Sequence, residues 1–353
     1  MTMRRLINLK RVEARRIYLT YAIVIAAYVI CQVMSSTKLL SSSMRGMLVP
    51  ICAYMVMAVS LNLVVGILGE LSLGHAGFMS VGAFSGVAAA VLLQSVIPFA
   101  PVRLAVAMII AAVFAAFAGF VIGIPVLRLK GDYLAIVTLA FGEIIKSILN
   151  NFYFGVDSQG LHFSMLSDTT RLLPGGKLII RGPMGISGIQ KISTFPAGFI
   201  LVMIALMIVF NLVNSRSGRA FMAIRDDRIA AESIGLDITK YKMTAFVMSA
   251  ALAGAAGALF AMNYSTIVAN KFDFNTSILI LVFVVLGGQG NMLGGIIAAA
   301  VLTILPEKLR SFSEYRMLLY AVVLIVMMLA TNNSEIKEFL SGLNPFRRKE
   351  EAK

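Results

Sequence analysis

The sequence predicts an all-helical bundle that crosses a membrane several times. Of its 353 residues, 59% are hydrophobic and 14% are charged, and the mean hydropathy is +0.88. A soluble domain carries about 45–50% apolar and about 25% charged residues. The chain therefore has too few polar residues to cover a globule in water, which excludes a soluble enzyme and a disordered chain.

Nine apolar stretches carry this prediction. Most approach the ~20 residues of helix that cross the hydrocarbon layer, and the alternating segments of about ten residues typical of membrane barrels are absent. The stretches are 17–34, 47–68, 71–94, 102–127, 133–152, 195–213, 241–264, 277–305 and 317–330. The eighth holds five glycines between Gly287 and Gly295 and is long enough for two short helices. We predict about ten transmembrane segments, including broken or re-entrant helices. The stretch 277–305 either crosses the membrane twice or is re-entrant.

Basic residues predict the orientation. Lys and Arg number 31 against 17 Asp and Glu, a formal charge of +14, but they cluster between apolar stretches, which favours membrane orientation over nucleic-acid binding. The basic segment 1–16 precedes a retained anchor and not a signal peptide, since no cleavage site follows. It predicts a cytoplasmic amino terminus, a membrane domain over 17–331, an extracytoplasmic loop at 153–194 and a charged cytoplasmic tail at 332–353. This orientation places Lys308, Arg310 and Arg316 outside the cytoplasm. Charge alone therefore does not determine the orientation of the carboxyl-terminal part of the chain.

Two glycine-interrupted regions, 61–78 and 284–295, predict a transport path. Glycine costs about 1 kcal/mol in a helix interior, and backbone freed at membrane depth is tolerated only against protein or a wet cavity. Such breaks in both halves of a chain favour a substrate path. The candidate path residues are Asn62, Gly66, Glu70, His75, Glu143, Gly288 and Gln289.

Some of these features have a structural alternative. Glycine also serves close helix packing, to which we assign Gly82-x-x-x-Gly86 and Ala253-x-x-x-Gly257. Glu143 and Lys146 share one helix face, so they either neutralise each other or line the path.

Catalytic and metal-binding features are missing from the sequence. Cys31 and Cys52 lie in apolar stretches and are interpreted as buried hydrophobes, and two histidines are too few for a histidine-based metal site. A phosphate-binding loop needs G-x-x-x-x-G-K-[ST], and Gly176-Lys177 lacks both the first glycine and the hydroxyl residue. We expect no catalytic residue, no metal and no ATP hydrolysis by this chain.

The segment 215–240 predicts a docking helix on the cytoplasmic side. Asp226 and Asp227 suit a helix N-terminus and Gly235 suits its end. Between them, small apolar residues form a stripe, namely Ile229, Ala230, Ala231 and Ile234. A helix of two to three turns cannot span a bilayer, so we expect it either to lie on lipid or to dock in a groove of another protein. Its apolar residues are mostly small, which favours the groove.

This segment also carries a family resemblance. Residues 230–235, Ala-Ala-Glu-Ser-Ile-Gly, resemble the EAA-type coupling loop of ATP-binding-cassette importers, and residues 225–237 resemble permeases of the high-affinity branched-chain amino acid family. The resemblance covers about residues 48–330. Further matching motifs are Leu61-Asn-Leu-Val-Val-Gly66, Ser72-Leu-Gly-His-Ala-Gly-Phe78, Gly182-Pro-Met-Gly-Ile-Ser-Gly188, Ala253-Gly-Ala-Ala-Gly257 and Leu286-Gly-Gly-Gln-Gly290.

The resemblance implies a type II-like, non-catalytic permease subunit in a bacterial cytoplasmic membrane, with both termini inside. Its partners would be ATP-binding subunits, a second and similar permease subunit, an extracytoplasmic solute-binding protein and membrane lipid, and Mg-ATP would be used by the partner. The residues implied in coupling are Arg225, Asp226, Asp227, Ile229, Ala230, Ala231, Glu232 and Gly235.

The substrate implied is a branched-chain amino acid, with urea, short amides or another small solute as alternatives. An ion-coupled secondary transporter would need more buried carboxylates than the spans contain. An intramembrane enzyme would need a nucleophile and base that no motif supplies. Both are less favoured.

Overall fold

The computed structural model describes residues 3–37, 41–129, 131–157, 160–165 and 176–309, together with the helical positions 318, 321–322 and 324–325. Two compact units divide the chain, Met1–Ala300 and Val301–Lys353, and every contact discussed below lies within the first. The predicted tail at 332–353 and most of the stretch at 317–330 lie outside the described residues.

Helices make up most of the described chain, as the composition predicted. They are α1 Met3–Ser36, α2 Ser42–Asn62, α3 His75–Leu92, α4 Ala100–Val126, α5 Asp132–Asn150, α6 Phe195–Asn214, α7 Arg216–Asp226, α8 Arg228–Ser233, α9 Ile238–Ala261, α10 Phe274–Gly287 and α11 Met292–Lys308. Short 3₁₀ turns lie at Gly182–Met184 and Ala269–Lys271.

Seven helical segments among the described residues are long and apolar enough to cross a membrane. They are Ile17–Ser36, Ser42–Leu68, His75–Leu92, Ala100–Val126, Phe195–Asn214, Ile238–Ala261 and Ala269–Gly287. The predicted polytopic helical bundle is confirmed, whereas the count of about ten is not. Helix α11 has 17 residues, fewer than the ~20 that a full crossing needs.

The centre of the bundle is α9, which packs against α2, α3 and α4. Small residues make the approach to α3 possible, because a methyl group on Gly82 would overlap the backbone of Gly254 and one on Gly257 would overlap the backbone of Met79. The predicted small-residue packing at Gly82 and Gly257 is confirmed. Dispersion contacts between closely spaced backbones hold helices together where lipid removes the hydrophobic driving force.

Both predicted helix breaks are present. Helix α2 continues into a π-helical turn, Leu63–Leu68, and ends at Gly69, whose φ of +80° is left-handed. The chain is then non-helical until α3 begins at His75. The second region forms two helices, α10 and α11, joined by a turn in which Gly288 and Gly290 have φ of +89° and +81°. Glycine adopts this conformation without the clash that a Cβ atom would bring.

A small β-structure was not predicted. Strands β1 (Phe152–Asp157), β2 (Gly160–Met165) and β3 (Lys177–Arg181) form an antiparallel sheet in the order β2-β1-β3, and β4 (Ile186–Ser187) pairs with β5 (Thr266–Ile267). These strands are short and lie mostly in the segment 153–194, outside the long apolar stretches, so hydropathy gives little sign of them. The predicted all-helical fold therefore carries an additional small sheet in this segment.

Candidate coupling and translocation site

The two helix breaks meet in the fold. The side-chain Oδ1 of Asn62, at the end of α2, accepts a 2.8 Å hydrogen bond from the backbone N–H of Gly290 in the α10–α11 turn. Gly66 lies beside the same turn, because a side chain there would overlap the Gly290 backbone. The structure therefore brings together regions more than 220 residues apart, as a shared path requires.

The docking segment reaches this junction through Arg225, the penultimate residue of α7. Its Nη1 donates a 3.1 Å hydrogen bond to the carbonyl of Gly66, while Nε and Nη2 donate to Asp226 Oδ1 at 3.2 and 3.1 Å. A carbonyl in a π-helical turn followed by a break lacks the regular i+4 partner, so the guanidinium supplies one. The aliphatic part of Arg225 also packs on Gly69, where a Cβ atom would collide with it.

An open cavity of about 480 Å³ lies at this junction, within the size range of small-molecule sites. Its lining combines apolar walls, backbone groups, one cation and one amide: Val65, Gly66, Gly69, Leu71, Arg225 and Gln289. Beside it, the Nδ2 donor of Asn62 is buried and has no hydrogen-bond partner among the described residues.

Glu70 pairs with a lysine that the sequence analysis did not single out. Lys242, in the second turn of α9, forms an ion pair with the Glu70 carboxylate. The lysine side chain is 2% exposed and that of Glu70 15%, so the ion pair is largely shielded from solvent. A lysine at the start of an apolar stretch is the sequence signal that could have identified it.

His75 lies deeper, away from the 480 Å³ cavity. It is the first residue of α3, is 2% exposed, and its Nε2 is 2.7 Å from Ser60 Oγ of α2. The next backbone N–H, of Ala76, donates to Ser277 Oγ of α10 at 3.1 Å. Side chains from α2 and α10 thus satisfy the broken start of α3, and His75 belongs to this internal network.

Glu143 is separate from the other candidates. It forms an ion pair with Lys146, one turn along α5, as the spacing predicted. Glu143 also lines a small cavity shared with Leu73, Gly77 and Ser277, beside the extended segment before α3. The predicted ion pair is present, and the cavity beside it, about 10 Å³, has room for about one water molecule.

The docking helix forms where predicted, with one change. Asp227 is the N-cap of α8, and its Oδ1 accepts from the N–H groups of Ile229 and Ala230 at 2.9 and 3.0 Å. Gly235 ends it with a φ of +83°, and the N–H of Leu236 donates to the carbonyl of Ala231 at 3.2 Å. Asp226 instead belongs to α7, so the segment holds two helices with a sharp corner at Asp227.

Ala231 is not available to a partner. Its side chain is 2% exposed and packs with Ile224 and Ile238 in a small core under α8. The predicted stripe therefore divides, because helical periodicity turns Ala231 inward and leaves Ile229 and Ile234 exposed at 78% and 75%. Ala230 and Glu232 are also exposed. Ile229 and the C-cap residue Ile234 thus form an exposed aliphatic surface on this short helix.

Within the described ranges, no three His, Cys, Asp or Glu side chains are grouped closely enough to hold a metal ion.

Comparison with known proteins places the chain in a family. Residues 43–331 match the family described as the branched-chain amino acid transport system permease component. The high-affinity branched-chain amino acid transport system permease proteins LivM of Salmonella typhimurium and Escherichia coli K12 are 36% and 37% identical over 288 residues, 78% of this chain and 66% of each relative. The fructose import permease protein FruG of Bifidobacterium longum is 24% identical over 70% of this chain and 72% of its own.

No solved structure matches this chain. The chain spans 66% of the length of the two LivM proteins. Because the family match covers most of the chain and the helices agree with it, this multi-pass membrane protein belongs to the family of permease components of branched-chain amino acid transport systems.

Proposed function

We propose that the chain is the non-catalytic membrane subunit of an ATP-driven importer that carries branched-chain amino acids inward. Its family and its similarity to the LivM permease proteins of branched-chain amino acid transport support this assignment. Leucine uptake by the reconstituted transporter, compared with uptake of urea and acetamide, tests the substrate. Faster ATP-dependent uptake of either amide than of leucine would contradict the assignment.

The proposed location is the bacterial cytoplasmic membrane with both termini in the cytoplasm. The basic segment 1–16, the segment 215–240 and the tail 332–353 then face inward, and 153–194 faces outward. The positive-inside rule supports this orientation at the amino end and at 215–240.

The proposed partners follow from what this chain lacks and exposes. ATP-binding subunits would contact α8. They would also bind and hydrolyse Mg-ATP, so this chain would need no cofactor of its own. A second permease subunit would complete the path, an extracytoplasmic solute-binding protein would deliver the substrate, and lipid would surround the bundle.

One observation carries the proposed mechanism: Arg225 of α7 is bonded to the Gly66 carbonyl at the helix breaks. Closure of the ATP-binding subunits would move α7 and α8 together, because Ile224 and Ala231 share one small core. Arg225 would pass that movement to the π-helical turn, which is bonded to the α10–α11 turn through Asn62. The cavity at the junction would then open or close, and the energy difference between the two states comes from ATP binding in the partner.

Replacement of the exposed Ile234 by Arg tests the docking surface. A buried charge opposite an apolar groove is costly, so we expect the variant to lose both copurifying ATP-binding subunits and uptake. Met184→Arg is the matched control, because Met184 is 68% exposed but lies in the segment proposed to face outward. An Ile234→Arg transporter with intact subunits and normal uptake would contradict the docking of α8.

A further inference from the structure

Arg103 is a buried cation at the other end of the bundle, in the first turn of α4. It is 5% exposed, and its Nη2 donates a 2.8 Å hydrogen bond to Oε1 of Gln190, a neutral group. Its Nε is buried and has no hydrogen-bond partner in the part of the chain that the structure describes. Across the same residues, none of the ion pairs involves Arg103.

This arrangement is energetically incomplete. A guanidinium stays charged in proteins, and a buried charge is retained only when it is paired and hydrogen-bonded. Arg103 has one neutral acceptor and an unused buried donor, and the N-terminus of the 27-residue helix α4 adds positive potential. An anion beside the guanidinium would neutralise this charge and accept from the unused donor.

A cavity of about 100 Å³ lies beside Arg103. Two glutamines, Gln94 and Gln190, are its other polar side chains, and none of the described residues that line it is acidic. The remaining wall is aliphatic or thioether: Val87, Ala90, Val91, Ile189, Ile192 and Met262. A cation set in an aliphatic chamber complements a carboxylate that carries a branched hydrocarbon tail.

We propose that Arg103 binds the carboxylate of a small aliphatic carboxylic acid, with the hydrocarbon tail against the wall of this cavity. Combined with the proposed function, on which this step rests, the ligand is the branched-chain amino acid, held through its α-carboxylate before it reaches the helix breaks. The segment 188–192, which lines the cavity, follows the strands of the loop proposed to face outward. The site is thus a substrate-binding site near the outward side of the bundle, at the opposite end from the Arg225 cavity.

Isovalerate, which is valine without its amino group, is the direct probe. We expect radiolabelled isovalerate to bind saturably to the purified full-length chain in phosphatidylcholine nanodiscs, measured by equilibrium dialysis. Leucine should displace it, and isovaleramide, which has the same shape without the charge, should not. Arg103→Met should weaken binding at least tenfold, and Arg103→Lys should recover part of it.

Two controls separate binding from folding. Arg181→Met removes an exposed arginine of β3 and should bind isovalerate normally. Arg103→Met without ligand should unfold at the same temperature as the unchanged protein or higher, because it removes an unneutralised buried charge.

Equal isovalerate binding by the Arg103→Met variant would overturn the proposal, as would displacement by isovaleramide. If the Arg103→Met variant binds isovalerate normally but no longer binds the solute-binding protein, the proposal is also overturned. Arg103 would then pair with a carboxylate of that partner. Leucine uptake by the complete transporter tests the proposed function separately, so either conclusion can fail alone.

Discussion

Replacement of Arg225 by Met should uncouple ATP hydrolysis from transport. The change removes the 3.1 Å hydrogen bond to the Gly66 carbonyl and keeps most of the aliphatic packing on Gly69. A hydrogen bond with one charged partner contributes about 1.5–3 kcal/mol. Because 41% of the Arg225 side chain is exposed, the lower end applies, about 1.5 kcal/mol or roughly a tenfold change in the coupling equilibrium.

The assay is the number of leucine molecules imported per ATP hydrolysed, measured in proteoliposomes that hold the complete transporter. We expect this ratio to fall about tenfold while ATP hydrolysis continues. Arg219→Met is the matched control, since Arg219 is an exposed arginine on the same helix. A change at Arg219 that weakened docking would lower hydrolysis and import together and leave the ratio unchanged. An unaltered ratio in the Arg225→Met transporter would refute the mechanical link.

Two further replacements test the packing around the path. Gly82→Ala should lower the free energy of unfolding by about 1–3 kcal/mol or more, because the added methyl group overlaps the Gly254 backbone. Gly46→Ala is the control, because the space around Gly46 is open. Thermal unfolding in detergent compares the two variants, and equal melting temperatures would contradict the α3–α9 contact. Lys242→Met should lower the free energy of unfolding by up to about 3–5 kcal/mol, because it leaves the Glu70 carboxylate unpaired. The double variant Lys242→Met, Glu70→Leu should recover most of that stability. If the double variant is no more stable than the single one, the two residues do not act as a pair.

Local sequence patterns predicted the docking segment well and its surface poorly. Asp227 and Gly235 begin and end α8 as expected, since caps depend on side chains within three residues. Which aliphatic residues face a partner depends instead on what lies under the helix. Ala231 is buried because Ile224 and Ile238 approach from neighbouring helices, and no local pattern gives their position.

Polar groups inside the bundle show the same division. The sequence marked Asn62, Gly66 and Gln289 as candidates, because glycines and amides interrupt apolar stretches. It did not show that Asn62 bonds to Gly290 or that Arg225 bonds to Gly66, because those contacts join residues 228 and 159 positions apart. Arg103 was counted within a span and given no role, since its burial against Gln190 depends on a distant segment.

The membrane-spanning helical class was determined by the sequence alone. Hydropathy and helix breaks are local properties, and apolar segments of this length have one stable form in lipid, in which each backbone group bonds within its own helix. The small sheet at 152–181, the junction of the two breaks and the partners of Arg225, Lys242 and Arg103 were decided only by the tertiary structure. Each depends on distances between segments that are far apart in the chain. Close packing of the helices determines these distances, and local sequence patterns do not predict them.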